Sequence, residues 1–279
     1  MGLPPSSDDR AWRTEDILMT VKAYPNPQDD FGEASCCAGM TADGRWLRVN
    51  PVPFRQLRQN QQFEKWTWVR AAVRRGGDAR PESHVVQPDS IEITRKVDTG
   101  RDGNWAGRNA AIAPFMTLSV DALKRDAAEG RRTMAYLRPL EVRAFRIERR
   151  GEAEVDWSLK QAALLGRQGL FGPSLEPLER IPYRFYYEFV CPDTACTTEH
   201  RMQVLDWELH QSYRRWRSEY GADGWEAALR NRYEREFLNE RDLIFNLGNI
   251  AAHQQSFCIC ALHYPPKLEV ENLQLPMRP

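Results

Sequence analysis

The chain has no surplus of charge and no long apolar run, and each absence removes a class of function. With 39 basic and 39 acidic residues among 279, the formal net charge is zero, which argues against generic polyanion binding driven by overall charge. No stretch approaches the ~18 apolar residues that a membrane-spanning helix requires, so no membrane partner is expected. Met1 to Trp12 carry no apolar run behind a basic start, so no signal peptide is expected either. Cysteine is sparse: 6 residues, among them the adjacent pair Cys36 and Cys37, make a poor disulfide framework for so long a chain. A reducing, cytoplasmic location is the natural expectation. Lysine is scarce as well, with 6 among the 39 basic residues, so arginine carries the positive charge. That bias suits bidentate phosphate contact.

What is present describes a folded protein. Hydrophobic residues make up 42% of the chain and 9 are tryptophan. The length accommodates two modest cores. Charge is unevenly placed: residues 45–80 hold nine basic residues against two acids, and residues 131–150 hold seven against two. Residues 1–44 offset this with eight acids against three bases.

The expected fold class is α+β. A disordered lead (1–13) precedes a small β-barrel-like domain (14–110), a mixed helical connector (111–178), a C-terminal α+β domain with a Cys/His turn (179–270) and a tail (271–279). In the first domain, Asp16 to Tyr24, Glu33 to Met40, Arg45 to Val49, Lys65 to Val73 and Ser90 to Val97 read as strands, with one short helix over Phe54 to Phe63. Ser119 caps a helix that ends near Gly130, Leu140 to Ile147 alternates as a strand, and Trp157 to Arg167 reads as helical. Leu209, Tyr213, Trp216 and Tyr220 recur at helical spacing, with a break at Gly221 and a second helix over Trp225 to Leu238. Asp242 to Leu247 and Ser256 to Leu262 complete the set as strands.

Chemistry concentrates between Tyr183 and His210. RFYYEFV and RMQVLDWE read as a hairpin joined by CPDTACTTEH. Cys191, Cys196 and His200, in C-x4-C-x3-H spacing, offer three ligands of the type zinc prefers, with Cys258, Cys260, His253 or His263 as sources of a fourth; the alternative is a turn of reduced thiols. Asp206 and Glu208 fall on one face of the second strand, roughly 6.6 Å apart. They are candidate magnesium ligands, with His210 or His253 as general base and Glu188 as a partner carboxylate, although Glu208-Leu209-His210 lacks the lysine of restriction-type nucleases. The alternative is that Asp206 caps the helix that follows and Glu208 complements its dipole.

On the barrel, strand alternation puts Trp66, Trp68 and Arg70 together on their strand, and Trp46 with Arg48 together on theirs, the five making one candidate stacking face. Aromatic rings interleaved with arginines stack and neutralise single-stranded nucleic acid, and tryptophans of small barrels also serve as core. Nucleic-acid binding with a structural zinc turn is therefore the favoured expectation. A magnesium-dependent nuclease or phosphodiesterase using Asp206 and Glu208 is the alternative, and a protein-interaction subunit of a larger complex is a third.

The run VKAYPNP, FGEASCCAGM, GRWLRVNPVPFRQL, with PES, LDWE and DLIFNLGN before HYPP, resembles an uncharacterised prokaryotic protein family. The motifs span both ends of the chain, which implies one shared architecture and no particular activity.

Overall fold

The computed structural model describes residues 11–28, 32–101, 103, 105–151, 180–250 and 253–267. The helix expected over Trp157 to Arg167, the first ten residues and the tail lie outside the described residues. The expected mixed α+β architecture is present: an N-terminal five-strand closed barrel, small helices in the middle, and a C-terminal helix with two sheets.

The barrel is built from β1 (Arg13–Lys22), β3 (Gly32–Thr41), β4 (Trp46–Val52), β5 (Thr67–Arg75) and β6 (Ser83–Val86), with short β2 (Asn26–Gln28) on β3 and β7 (Glu92–Lys96) on β5. β1 pairs antiparallel with both β3 and β5, and β6 closes the ring by pairing parallel to β4 and antiparallel to β5. β6 was not among the expected strands; it is four residues long and begins at the end of the Gly- and Pro-rich run GGDARPES. The helix expected over Phe54 to Phe63 is two 3-10 turns, Phe54–Gln56 and Gln59–Gln61. Inside the ring pack Ile17, Met19, Leu47, Val49, Val69, Ala71 and Val73, with Phe54, Leu57 and Phe63 beside them. Each fully buried large apolar side chain contributes about 1.5–3 kcal/mol.

Past β7 come α1 (Ala106–Ile112) and α2 (Val120–Ala128), the latter capped by Ser119, whose hydroxyl accepts from Ala122 N–H. β8 (Met134–Leu137), β12 (Ile244–Ile250) and β13 (His253–His263) form one three-stranded sheet. β9 (Glu141–Arg149), β10 (Tyr183–Val190) and β11 (His200–Gln203) form the other. α3 (Trp207–Arg230) bends at Gly221 (φ 73°), continues into a π-helical turn over Asn231–Glu236 and ends as α4 (Phe237–Glu240). Phe145, Phe185, Tyr187, Phe189, Tyr213 and Phe245 fill the core between this helix and the sheets.

The two halves share a third core. Leu18, Val21, Ala38, Met40, Trp46 and Trp66 of the barrel pack on Phe115, Met134, Tyr136, Ile244 and Ala261. β1 is consequently buried on both faces from Ile17 onward, as a strand between two apolar layers must be.

β1 and β3 approach closely at Gly39, where an added Cβ would lie 2.3 Å from Leu18 O and 2.7 Å from Ile17 Cγ2. Gly39→Ala is expected to destabilise the chain by about 1–3 kcal/mol, the usual cost of overpacking. Urea unfolding checks this, and an unchanged midpoint would contradict the packing described.

Candidate functional site

The strand read through RMQVLDWE stops at Gln203, and the residues after it leave the sheet to join the barrel. Leu205 N–H donates to Ile259 O (2.8 Å) and Tyr24 N–H to Leu205 O (3.1 Å), so the segment bridges β13 and the end of β1. Asp206 then caps α3. Its Oδ1 accepts from Glu208 N–H (2.7 Å), and its Oδ2 accepts from Leu262 N–H (2.8 Å) and from the Lys65 ammonium (2.8 Å). Lys65 also lies 2.9 Å from Glu208 Oε2. Burial alone would discharge Lys65, but the Asp206 and Glu208 carboxylates outweigh it and raise its pKa above the ordinary lysine value.

This geometry corrects the strand-face placement of Asp206 and Glu208. The other reading, Asp206 as the cap of the following helix, is the one observed. The lysine missing beside the pair in sequence arrives from the barrel, and its ammonium stands between the two carboxylates, where the magnesium alternative put the ion. His210 is buried: one ring nitrogen, Nδ1, lies 2.7 Å from Asp206 O, with the ring stacked on Tyr24 and edge-on to Phe185. His253 is exposed at the start of β13. Glu188, on β10, pairs with Arg146.

Beside the Lys65 ion pairs, a cleft of about 700 Å³ opens between the barrel and α3. Glu208, Gln211, Ser212 and Arg215 line it at helical spacing from one face of α3, flanked by Trp207 and Trp216. Lys22, Glu64, Lys65, Trp66 and Lys96 come from the barrel, Arg108 from α1, Arg232 and Tyr233 from the π-helical turn, and Tyr264 from beyond β13. Six cations thus face two carboxylates. Lys96 pairs with Glu64, Arg215 with Glu219 and Arg232 with Glu236. Lys22 and Arg108 have no carboxylate within salt-bridge reach among the described residues.

Those two cations are held by rings. Lys22 Nζ lies 4.0 Å from the Phe54 centroid and 4.7 Å from that of Trp207. Arg108 lies 5.1 Å from Trp66 and 5.0 Å from Trp105, and its Nε donates to Val97 O (3.0 Å). Desolvation lowers the pKa of both from their ordinary values. Trp66 and Trp105 adopt positive φ (68° and 60°), an outlying conformation for bulky residues. Such strain, and a π-helical turn nearby, cluster at functional sites.

The five barrel residues expected on a stacking face separate. Trp46 is buried against Phe115 and Tyr136, and Arg48 is buried with its guanidinium donating to Asn249 O (3.3 Å) and Thr133 Oγ1 (3.3 Å). Trp66 precedes β5 and is 5% exposed on the cleft wall. Half-buried Trp68 carries Arg95 over its ring, and exposed Arg70 pairs with Asp16. Alternation does put Trp46 and Arg48 on one face of β4, opposite Leu47 and Val49, but that outer face is covered by the second half of the chain.

The Cys191, Cys196 and His200 donor atoms lie within 4.8 Å of one another, all three residues buried. Cys196 Sγ is 3.1 Å from His200 Nε2, and Cys191 Sγ accepts from Val120 N–H (3.4 Å) at the start of α2. Tetrahedral zinc sets its ligand atoms about 3.5–3.8 Å apart, so the trio fits such an ion. A further acid, Asp121, is close enough for its charge to act on both Cys191 and His200. The expected fourth ligands are elsewhere: Cys258 and Cys260 beside Arg48, and His263 between Trp66 and Trp105. Lys22, Lys65 and Arg108 escaped the sequence reading because nothing local marks them; the four-residue polar stripe on α3 was the one available signal.

A family model described as Domain of unknown function (DUF8757) matches residues 116–278, and the chain belongs to that family. A second, described as Domain of unknown function (DUF8758), matches residues 13–114. No curated protein matches the chain.

Burial lowers the His210 pKa from 6.5 to about 4. The unfolded chain therefore takes up a proton that the folded chain refuses, and the stability present above pH 6.5 is lost as pH falls toward 4. Between pH 7 and 5 the loss from this group is about 2 kcal/mol. Urea unfolding at the two pH values measures it, and His210→Gln is expected to flatten the slope.

Proposed function

We propose that this member of the DUF8757 family binds single-stranded nucleic acid in the cleft between the barrel and α3, and that Cys191, Cys196 and His200 hold a structural zinc ion. The observation that carries the first part is the pair of desolvated cations, Lys22 and Arg108, on the wall of an aromatic cleft. No carboxylate among the described residues is within salt-bridge distance of either, and only the longer-range charge of Glu208 and its neighbours acts on them. Charges taken out of water without a counter-ion are costly, and an incoming phosphate offsets that cost. Trp207, Trp216 and Tyr264 offer ring faces for bases, each stack contributing about 1–3 kcal/mol. The cleft has the size of a small-molecule site, which suits one or two unstacked nucleotides rather than a duplex.

In the metal turn, Cys191 and Cys196 would bind as thiolates and His200 through Nε2. Burial pushes the Cys191 thiol up to about 12, only partly offset by the Val120 N–H, so the thiol would give up its proton only as the ion binds. Zinc there would fix the β10–β11 turn against α2 and take no part in a reaction.

Arg108→Gln and Lys22→Gln are each expected to weaken oligonucleotide binding about tenfold and to reduce the salt slope by about one. Arg70→Gln, at a residue that pairs with Asp16 outside the cleft, should leave both unchanged. Equal losses in all three variants, or none, would overturn the reading. For the metal, elemental analysis of the purified chain is expected to give one zinc per chain, lost in Cys196→Ser; wild-type protein free of metal after purification without chelator would refute it.

A further inference from the structure

A second cavity, of about 170 Å³, lies between the barrel and β13, away from the proposed nucleic-acid cleft. Three thiols line it, those of Cys36, Cys258 and Cys260, together with Arg48, Arg80 and the half-exposed Ile250. The Cys258 and Cys260 sulfurs are 3.7 Å apart. They come this close on one strand because β13 bulges: Asn246 pairs with Ala261 and Leu247 with Ile259, leaving Cys260 unpaired between them.

Gly248 on the neighbouring strand leaves room that the thiol and the guanidinium share. A Cβ there would lie 2.8 Å from Cys260 Sγ and 3.2 Å from Arg48 Nη2. Arg48 and Arg80 are 3% and 6% exposed and both donate to Asn249 O. Arg48 Nε has no hydrogen-bond partner among the described residues. A buried donor beside a cavity and two thiols has work available to it, namely holding an anionic sulfur or an oxygen leaving group.

We propose that Cys260 and Cys258 form a redox-active dithiol, oxidised to a disulfide by a hydroperoxide admitted to this cavity. The Cys260 thiolate attacks the outer peroxide oxygen; the S–O bond forms as the O–O bond breaks, and the departing alkoxide or hydroxide takes a proton. The Cys258 sulfur then attacks the sulfenic sulfur, the S–S bond forms and hydroxide leaves as water. Two thiols lose two electrons, the hydroperoxide gains them, and the two thiol protons end in the alcohol and the water. Cys260 is the attacking sulfur because it shares the space over Gly248 with the Arg48 guanidinium, while Cys258 Sγ donates to Gly248 O (3.3 Å). The hydrogen-bonded contact with Cys258 and the charges of Arg48 and Arg80 also lower the Cys260 pKa against burial. The shared hydrogen bond and burial push Cys258 the other way. Cys37, in the barrel core, has no such help, and burial raises it far above the thiol range.

The test uses the full chain and hydrogen peroxide at one equivalent, quenched over time, alkylated in denaturant without reduction, digested and weighed. The peptide holding Cys258 and Cys260 is expected to lose two hydrogen masses and to escape alkylation, about tenfold faster in the native chain than in the urea-unfolded one. In the Cys258→Ser variant, oxidation should stop at a sulfenic acid on Cys260 that dimedone traps. Both cysteines remaining alkylatable while other thiols oxidise would overturn the proposal. So would oxidation at equal rates in native and unfolded protein, or the absence of a dimedone adduct on Cys260 in the Cys258→Ser variant.

Discussion

The Asp206 carboxylate sits where the barrel, β13 and α3 meet, and both its oxygens are claimed by groups from three elements. Lys65 comes from the barrel, Leu262 N–H from β13 and Glu208 N–H from the first turn of the helix. Removing one partner of a buried pair costs about 3–5 kcal/mol, because the other charge is left without compensation. Here the loss would extend further: the same carboxylate satisfies two backbone donors as well. The node therefore fixes where α3 starts and at what angle it leaves the barrel.

That angle makes the cleft. Once Asp206 is pinned, helical spacing carries Glu208, Gln211, Ser212 and Arg215 along the wall opposite Lys22, Trp66 and Arg108. Glu208 neutralises part of Lys65 from the solvent side, so the node itself presents little net charge to a ligand. The cations left over are those wedged against rings. The structural core and the candidate binding surface are thus two sides of one arrangement, and damage to the first is expected to disturb the second.

Local pattern made much of the fold legible. Strand alternation located β1, β3, β4, β5 and β7, Ser119 marked the start of α2, and the hairpin of β10 with β11 followed from its aromatic run. β6 was missed because Ser83–Val86 is short and follows a Gly- and Pro-rich stretch. The exposure of Trp46 and Arg48 was misjudged for a different reason: alternation assigned them rightly to one face, but a wet outer side was assumed and the barrel wall there is dry on both. For the site, the Cys/His turn was visible because its three donor residues lie within one short stretch, from Cys191 to His200. The pairing of Lys65 with Asp206 spans half of the chain, and no window of sequence contains it.

Photocrosslinking tests the central claim most directly. A short single-stranded oligonucleotide carrying a photoreactive base would be irradiated on the full chain and the adducts mapped by mass spectrometry. The account predicts adducts on Trp207, Trp216 or Tyr264. Adducts confined to the outer face of β5 and β7, with these rings unmodified, would contradict it.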